Sequence, residues 1–593
     1  MISTIKIILL WILSIPALIA GFLKQIAQYI SSERWYLWGF IPCNAGLWPL
    51  GLYCWHKDVQ CWYYRFPLRV FSYICFLFGT ILFFEGLWPF AGILLLVRLL
   101  VWLDDWLRLS DPLVAESAPD STAGFKHPFD KLSLCFIGVI FLVLAVNKER
   151  LIDFSDPSDQ FYHMAAAKQI LEKRTIPIWD DWEFAPMGRP HLYPPVLHLL
   201  IAFFAGEPDQ IIAGFSSIQM LLYPLALLAY WMLYRKFLSP AHAYLSLIFL
   251  SMEFMFGMGC LMGLPASIVN VLWPFILLAI INKRTYVAML LLAVAFYTHT
   301  GMPVLICLCL LIFGLWKREH FLRILAVIIG ALILSMPWTL RYYVFSDWMQ
   351  ASGAQGFSLS SIVARLLWLQ IANPVFIVLA VWGLFRLKQT AIFKSQILGF
   401  LPMLTQYGGR FFMHGAPFLS PFVAVHFTRF LEGGVTRRRA VCFLLLTLIP
   451  LPCISFMGPN DTIQIKPFPG ITATHISIFY TINRTRKDQS DIENLVSEIR
   501  QTTSPDDIIH LPDDGMYHFG DLIVVMTGRR TDTGGWGEIR KPEMWEAMIK
   551  SREDINDGVF VSKVRENIPE GRIVKQIGSY FIGYPPSDDS NDG

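Results

Sequence analysis

Apolar runs of membrane-crossing length, separated by short polar joints, account for most of the chain. They lie near residues 4–22, 36–54, 67–85, 88–104 and 131–147. After a long polar stretch they resume near 209–233, 239–257, 263–281, 285–299, 302–316, 321–340, 361–385, 392–406, 414–430 and 440–457. A helix needs about 20 apolar residues to cross roughly 30 Å of hydrocarbon. The pattern predicts an α-helical polytopic membrane protein of about 13–15 transmembrane helices. Past residue 457 the pattern changes. SDIENLVSEIR (490–500) has helical spacing, IIHL (508–511) and DLIVVMTG (521–528) are short apolar runs with strand character, TGGWGE (533–538) is a glycine-rich turn, and PEMWEAMIKS (542–551) is helical again. Such alternation predicts a small α/β soluble domain ending in a polar tail, PPSDDSNDG. The expected organisation is therefore extra N-terminal helices over 1–130, a helical membrane core over 131–457 carrying a polar loop at 148–208, and a soluble domain over 458–593.

Composition agrees. The 593 residues are 55% hydrophobic and 16% charged, whereas soluble domains carry about 25% charged residues. The net charge of +3 is too small to suggest a nucleic-acid partner. The ten cysteines show no CxxC pair or metal-ligand spacing. Basic residues cluster in alternate joints: Arg235–Lys236, Lys283–Arg284, Lys317–Arg318, Arg386 and Lys388, and Arg437–Arg438–Arg439. By the positive-inside rule those joints are cytoplasmic. The 148–208 loop and the C-terminal domain then share the external compartment.

The most informative run is DFSDPSDQFYHMAAAKQILEKRTIPIWDDWEFAPMGRPHLYPPVLHLL, residues 153–200. Asp153, Asp156 and Asp159 follow the fifth span, and Pro157 suits the first turn of a helix. DQFYHMAAAKQILE predicts an amphipathic helix lying along the membrane face, with Asp159 and His163 on one side. TIPIWDDWEFAPMG forms a second acidic, aromatic cluster, and the prolines of MGRPHLYPP force a defined loop. Carboxylates in a loop are most often solvated caps. Held at the lipid boundary among Trp, His and Pro, they become candidates for a site.

This segment resembles the first external loop of the GT-C superfamily of membrane glycosyltransferases, above all the catalytic subunit of oligosaccharyltransferase and its archaeal and bacterial relatives. The residues that carry the resemblance are Asp159, Phe161, Tyr162 and His163; then Ile176, Pro177, Trp179 and Asp180; then Pro186, Gly188, Tyr193, Pro194 and Pro195. QYGGRFFMHGAPFLSP around Arg410 is similar to the family's late Arg-aromatic element, and TGRRT (527–531) to a piece of its C-terminal domain. The Trp-Trp-Asp-Tyr-Gly hallmark is absent; LPDDGMYHFG (511–520) stands in its place.

The resemblance implies a sugar donor on a polyprenyl phosphate or diphosphate and an unknown acceptor, protein, lipid or glycan. It implies an inverting transfer on the external face of a prokaryotic plasma membrane. Asp159, helped by Asp156, is then the catalytic carboxylate. His163, Asp180, Tyr193, Arg410 and Trp536 are candidates for substrate binding, with Arg410 facing the leaving phosphate. Asp159 and His163 are candidate ligands for Mg²⁺ or Mn²⁺. Arg410 also reads as an interfacial snorkelling residue, and Trp536 as the pin of a turn. Two further function classes stay open: a lipid or sugar transporter, against which the lack of paired halves argues, and a non-catalytic member of the same superfamily.

Overall fold

The computed structural model describes residues 127–152, 154, 159–251, 253–348, 391–406, 408–432, 451–456, 463–468, 489–512, 517–534 and 558–585. The four expected N-terminal spans, the span at 361–385, Asp156 and Trp536 lie outside these residues. The described helices of the bundle are α1 (Pro128–Val146), α2 (Asp159–Lys173), α3 (Val196–Ala205), α4 (Ile211–Phe237), α5 (Pro240–Ser251), α6 (Phe254–Leu261), α7 (Pro265–Ile281), α8 (Thr285–Phe296), α9 (Met302–Trp316), α10 (Phe321–Val344), α11 (Ala391–Gln406) and α12 (Gly408–Glu432). Three stretches among the described residues, Pro128–Val146, Pro208–Phe237 and Arg318–Val344, are long and apolar enough to cross a membrane by themselves, and six shorter apolar helices accompany them. The chain is an integral membrane protein.

Several helix ends are marked by residues that favour a boundary. Pro240, Pro265 and Pro303 sit in first turns, where a missing N–H costs nothing. Lys283, in the left-handed region, closes α7. The basic pairs Arg235–Lys236, Lys283–Arg284 and Lys317–Arg318 all fall at one end of the bundle. There Arg235 also forks onto the buried Asp130 of α1. The 174–195 segment sits at the opposite end, where the Val196 N–H donates to the Tyr297 carbonyl at 3.0 Å.

The C-terminal region forms a five-stranded sheet, β6-β5-β7-β9-β8 in order. The strands are β5 (Ile508–His510), β6 (Arg530–Thr531), β7 (Val559–Ser562), β8 (Ile573–Ile577) and β9 (Tyr580–Tyr584). β5 pairs in parallel with β6 and β7, while β9 runs antiparallel to both β7 and β8. Helices α13 (Gln489–Thr502) and α14 (Tyr517–Thr527) cover it. Two expectations fail here. Residues 521–527 of this run are the body of helix α14 and not a strand; a short, almost wholly apolar run has no period to distinguish the two. The expected span 440–457 is not helical to its end: Leu451–Phe456 is a strand, β3, paired with β4 (Ile463–Phe468), where Pro452 could not serve a helix as a donor; the rest of that span lies outside the described residues.

Helix α2 also differs from expectation. Gln160 to Ile170 is buried without a break, so α2 is no surface amphipath. It is sandwiched between α3 and α4 on one side and α14 on the other. One continuous core joins Phe161, Met164 and Ala165 of α2 to Leu522, Ile523 and Val525 of α14 and to Leu197 and Phe215 of the bundle. Lys168 threads through this seam and donates to the carbonyls of Val524 (3.4 Å) and Val525 (3.1 Å) near the end of α14. Burial pushes its ammonium below the usual lysine range. Each such hydrogen bond is worth about 1 kcal/mol, against about 1.5–3 kcal/mol for each large apolar side chain buried. The apolar seam therefore holds the helices together, and Lys168 sets their register.

At the far edge of the domain, Glu498 of α13 accepts from Tyr584 Oη and from Lys575 Nζ, both at 2.7 Å. Lys575 first, then Tyr584, holds the carboxyl below the ordinary range. A depressed folded value means that this contribution is present above the unfolded value, about 4.3, and is lost as pH falls through the folded one. Amide protection of β8 and β9, corrected for intrinsic exchange, should fall in that acid window. In Glu498→Gln it should already be lower at neutral pH, with a flatter acid profile.

Candidate functional site

The 174–195 segment is built on a two-residue ladder, β1 (Trp179–Asp180) against β2 (Arg189–Pro190), with Asp180 opposite Arg189. The His191 N–H donates to the Ile178 carbonyl at 2.9 Å and extends the ladder by one rung. Gly188 has φ +68°, and a Cβ there would strike the Asp180 carbonyl and lie 2.6 Å from Trp179 Nε1. Only glycine permits the return. The ladder brings His191 Nδ1 to 2.9 Å from both oxygens of Asp180, and both side chains are buried. A carboxylate accepts, so Nδ1 of His191 carries a proton in this pair.

From this pair the polar cluster continues into the bundle. The His191 ring lies 5.3 Å from that of His198 on α3. His198 Nε2 is 2.9 Å from Nδ1 of His163 on α2, and His163 meets Tyr193 edge-on at 4.8 Å. His191 Nε2 and His198 Nδ1 are buried and find no hydrogen-bond partner among the described residues.

Residues 181–188 bulge out of the ladder and carry a second pair. Arg189 Nε donates to Glu183 Oε1 at 2.6 Å, with both side chains buried. The guanidinium lies over the rings of Phe184 at 5.2 Å and Tyr162 at 5.5 Å. Burial pushes the Tyr162 phenol far up, and Asp180 adds to the shift. Burial also pushes Glu183 up, against the pull of Arg189 and with the neighbouring Asp180 and Asp521 adding to the shift. The bulge is bonded to the C-terminal domain. The Thr531 N–H donates to the Trp182 carbonyl at 2.9 Å, Ala185 N–H to Thr531 at 2.9 Å and Phe184 N–H to Thr533 at 3.3 Å. The loop thus adds itself to the β6 edge of the sheet.

Of the residues selected from sequence, the structure gathers His163, Asp180 and Tyr193 into one buried cluster. Asp159 stands on the first turn of the same helix as His163, exposed where His163 is buried. Arg410 is within helix α12, and its side chain lies outside the described residues. Among the described residues no group of three or more His, Cys, Asp or Glu side chains could hold a metal ion. His191 Nε2 and His198 Nδ1 are two donors where a protein zinc site takes three or four. Sequence reasoning missed Glu183, Arg189, His191 and His198. The signal for the first three was the density of ionisable residues in a proline-bounded loop, WDDWEFAPMGRPHLYPP; His198 lies just past it, on α3.

No family model and no curated protein matches the sequence. Solved structures do. ArnT from Cupriavidus metallidurans bound to undecaprenyl phosphate matches with a TM-score of 0.52 at 11% identity, over 76% of this chain and 98% of that one. The chain has a GT-C fold. The same protein in the apo state matches with a TM-score of 0.50 at 11% identity, over 75% of this chain and 97% of that one. The oligosaccharyltransferase of Archaeoglobus fulgidus in the apo form follows at 0.48 and 11%, over 72% and 69%. In this GT-C fold the buried cluster sits where the polar loop, α2 and the C-terminal sheet meet, at the bundle end away from the basic joints.

Proposed function

We propose that this chain is a membrane glycosyltransferase that moves a sugar or oligosaccharide from a polyprenyl-phosphate-type lipid carrier to an acceptor on the external face. The observation that carries the reading is the pairing of a GT-C fold with an exposed Asp159 at the start of a helix whose next turn is rooted in a buried His–Asp cluster. The matching ArnT structure contains undecaprenyl phosphate, which supports a polyprenyl carrier here. Asp159 accepts the proton of the acceptor nucleophile as it attacks the anomeric carbon with inversion, and the carbon–oxygen bond to the carrier phosphate breaks. Arg410 neutralises the departing phosphate. Asp156 assists Asp159, while His163, Asp180, Tyr193 and Trp536 contribute to substrate binding. Mg²⁺ or Mn²⁺ would need further oxygen ligands beside Asp159, and no step here is routed through a metal.

The test is a comparison of glycans and glycolipids extracted from the host with and without the protein. One glycan or glycolipid should vanish on removal and return with the intact chain. An unchanged profile, with the chain shown to be expressed and inserted beforehand, would refute the reading.

A further inference from the structure

An exposed apolar stripe runs the length of α10 through Ile329, Ile333, Met336, Leu340 and Tyr343, at spacings of three and four residues. On a membrane-crossing helix that stripe faces lipid. At 24 residues, α10 is about 36 Å long, which exceeds the roughly 30 Å hydrocarbon layer. Its last turn, with Tyr343 81% exposed, therefore stands among the lipid headgroups.

The tip of the polar loop is fastened to that same turn. Arg341 donates to the Ile178 carbonyl at 3.0 Å and lies 4.5 Å over the Trp338 ring, whose edge meets His191 at 5.9 Å. Trp179 meets Trp348, just past the helix, at 5.4 Å. Its indole is held by the Met187 carbonyl at 3.0 Å. The tip nonetheless leaves Ile178 67% and Trp179 37% exposed, with Met187 beside them. A water-facing loop has no reason to present an isoleucine, a methionine and a tryptophan together. Trp and Tyr flanked by aliphatic side chains and an arginine are what the boundary between headgroups and acyl chains selects.

We propose that the tip face formed by Ile178, Trp179 and Met187 is seated in the phospholipid interface as an extension of the lipid-facing stripe of α10. The seat holds the Asp180–His191 pair, whose Asp180 follows Trp179 directly, at the depth of the headgroups. It does not depend on the transfer reaction above. The partner is the bilayer surface itself rather than a second protein, because the tip continues a stripe that lipid already covers.

The experiment places p-benzoylphenylalanine at Ile178, and separately at Tyr343, in the full chain. The protein is irradiated in vesicles of phosphatidylethanolamine and phosphatidylglycerol, and adducts are identified by mass. Ile333, at mid-stripe, is the lipid-facing reference. Glu566, exposed in the C-terminal sheet domain, is the water-facing one. Both test positions should yield phospholipid adducts within about twofold of Ile333 and well above Glu566. The proposal is overturned if Ile178 labels at the level of Glu566 while Ile333 labels fully, or if it captures protein in place of lipid. Should the Ile178 variant misfold, the same photoprobe at Met187, exposed on the tip, carries the test with the same two outcomes.

Discussion

Replacing Arg189 with methionine should cost about 3–5 kcal/mol of stability and release the loop from the C-terminal sheet. Arg189 and Glu183 are 2% and 0% exposed, so removing the cation strands a carboxylate away from water. That carboxylate already has Asp180 and Asp521 as neighbours. A stranded Glu183 escapes by taking a proton, which raises its folded value further above the unfolded one. The deficit in Arg189→Met should therefore shrink as pH falls from neutral towards about 4.3 and return as pH rises. Thermal unfolding of the reconstituted protein and protection of Trp182 to Ala185 report both effects. Removing both charges, Glu183→Leu with Arg189→Met, should recover most of the loss, since an apolar pair of similar volume is tolerated where half an ion pair is not. If the single variant is as stable as the parent, the pair is not buried in the membrane-embedded protein. If the double variant is no better than the single, the guanidinium acts through Phe184 and Tyr162 instead.

Asp159→Asn should lower turnover by about 10²–10⁴-fold, the range for loss of a positioned general base. Asparagine keeps the shape and the helix-starting capacity of the position but cannot take a proton. Because Asp159 is exposed, insertion and folding should be unchanged. Carrier-lipid binding should also be retained, so the loss appears in kcat and not in KM for the donor. A variant that transfers sugar within a few-fold of the parent would remove Asp159 from the chemistry and leave it as the solvated cap of α2.

Local pattern suffices where an element has one environment to satisfy. Spans such as 209–233 and 321–340 appear as α4 and α10 because about 20 apolar residues in a row have one solution in lipid, a helix that satisfies its own backbone. SDIENLVSEIR appears as α13 because its period of 3.6 faces a single partner, the sheet domain. Where an element is covered on every side the pattern carries no direction. DLIVVMTG reads as a strand from its apolar run alone, and the closed packing of the sheet domain on α2 makes it a helix. The same packing turned the apparent amphipath 159–173 into a buried post.

By itself, the sequence determined that lipid is the solvent, that described runs such as 131–147, 209–233 and 321–340 are membrane helices, and that the 153–200 run holds the ionisable residues. Each follows from composition or from spacing within one element. The pairing of Asp180 with His191, of His163 with His198 and of Glu183 with Arg189 was decided only by the tertiary structure. Those contacts span 11, 35 and 6 residues across a bulged loop. Their geometry is set by a two-residue ladder, a glycine at positive φ and the sheet edge that receives the bulge. Burial in the closed seam makes these ionisable residues partners, and no local period encodes which distant segment will close over them.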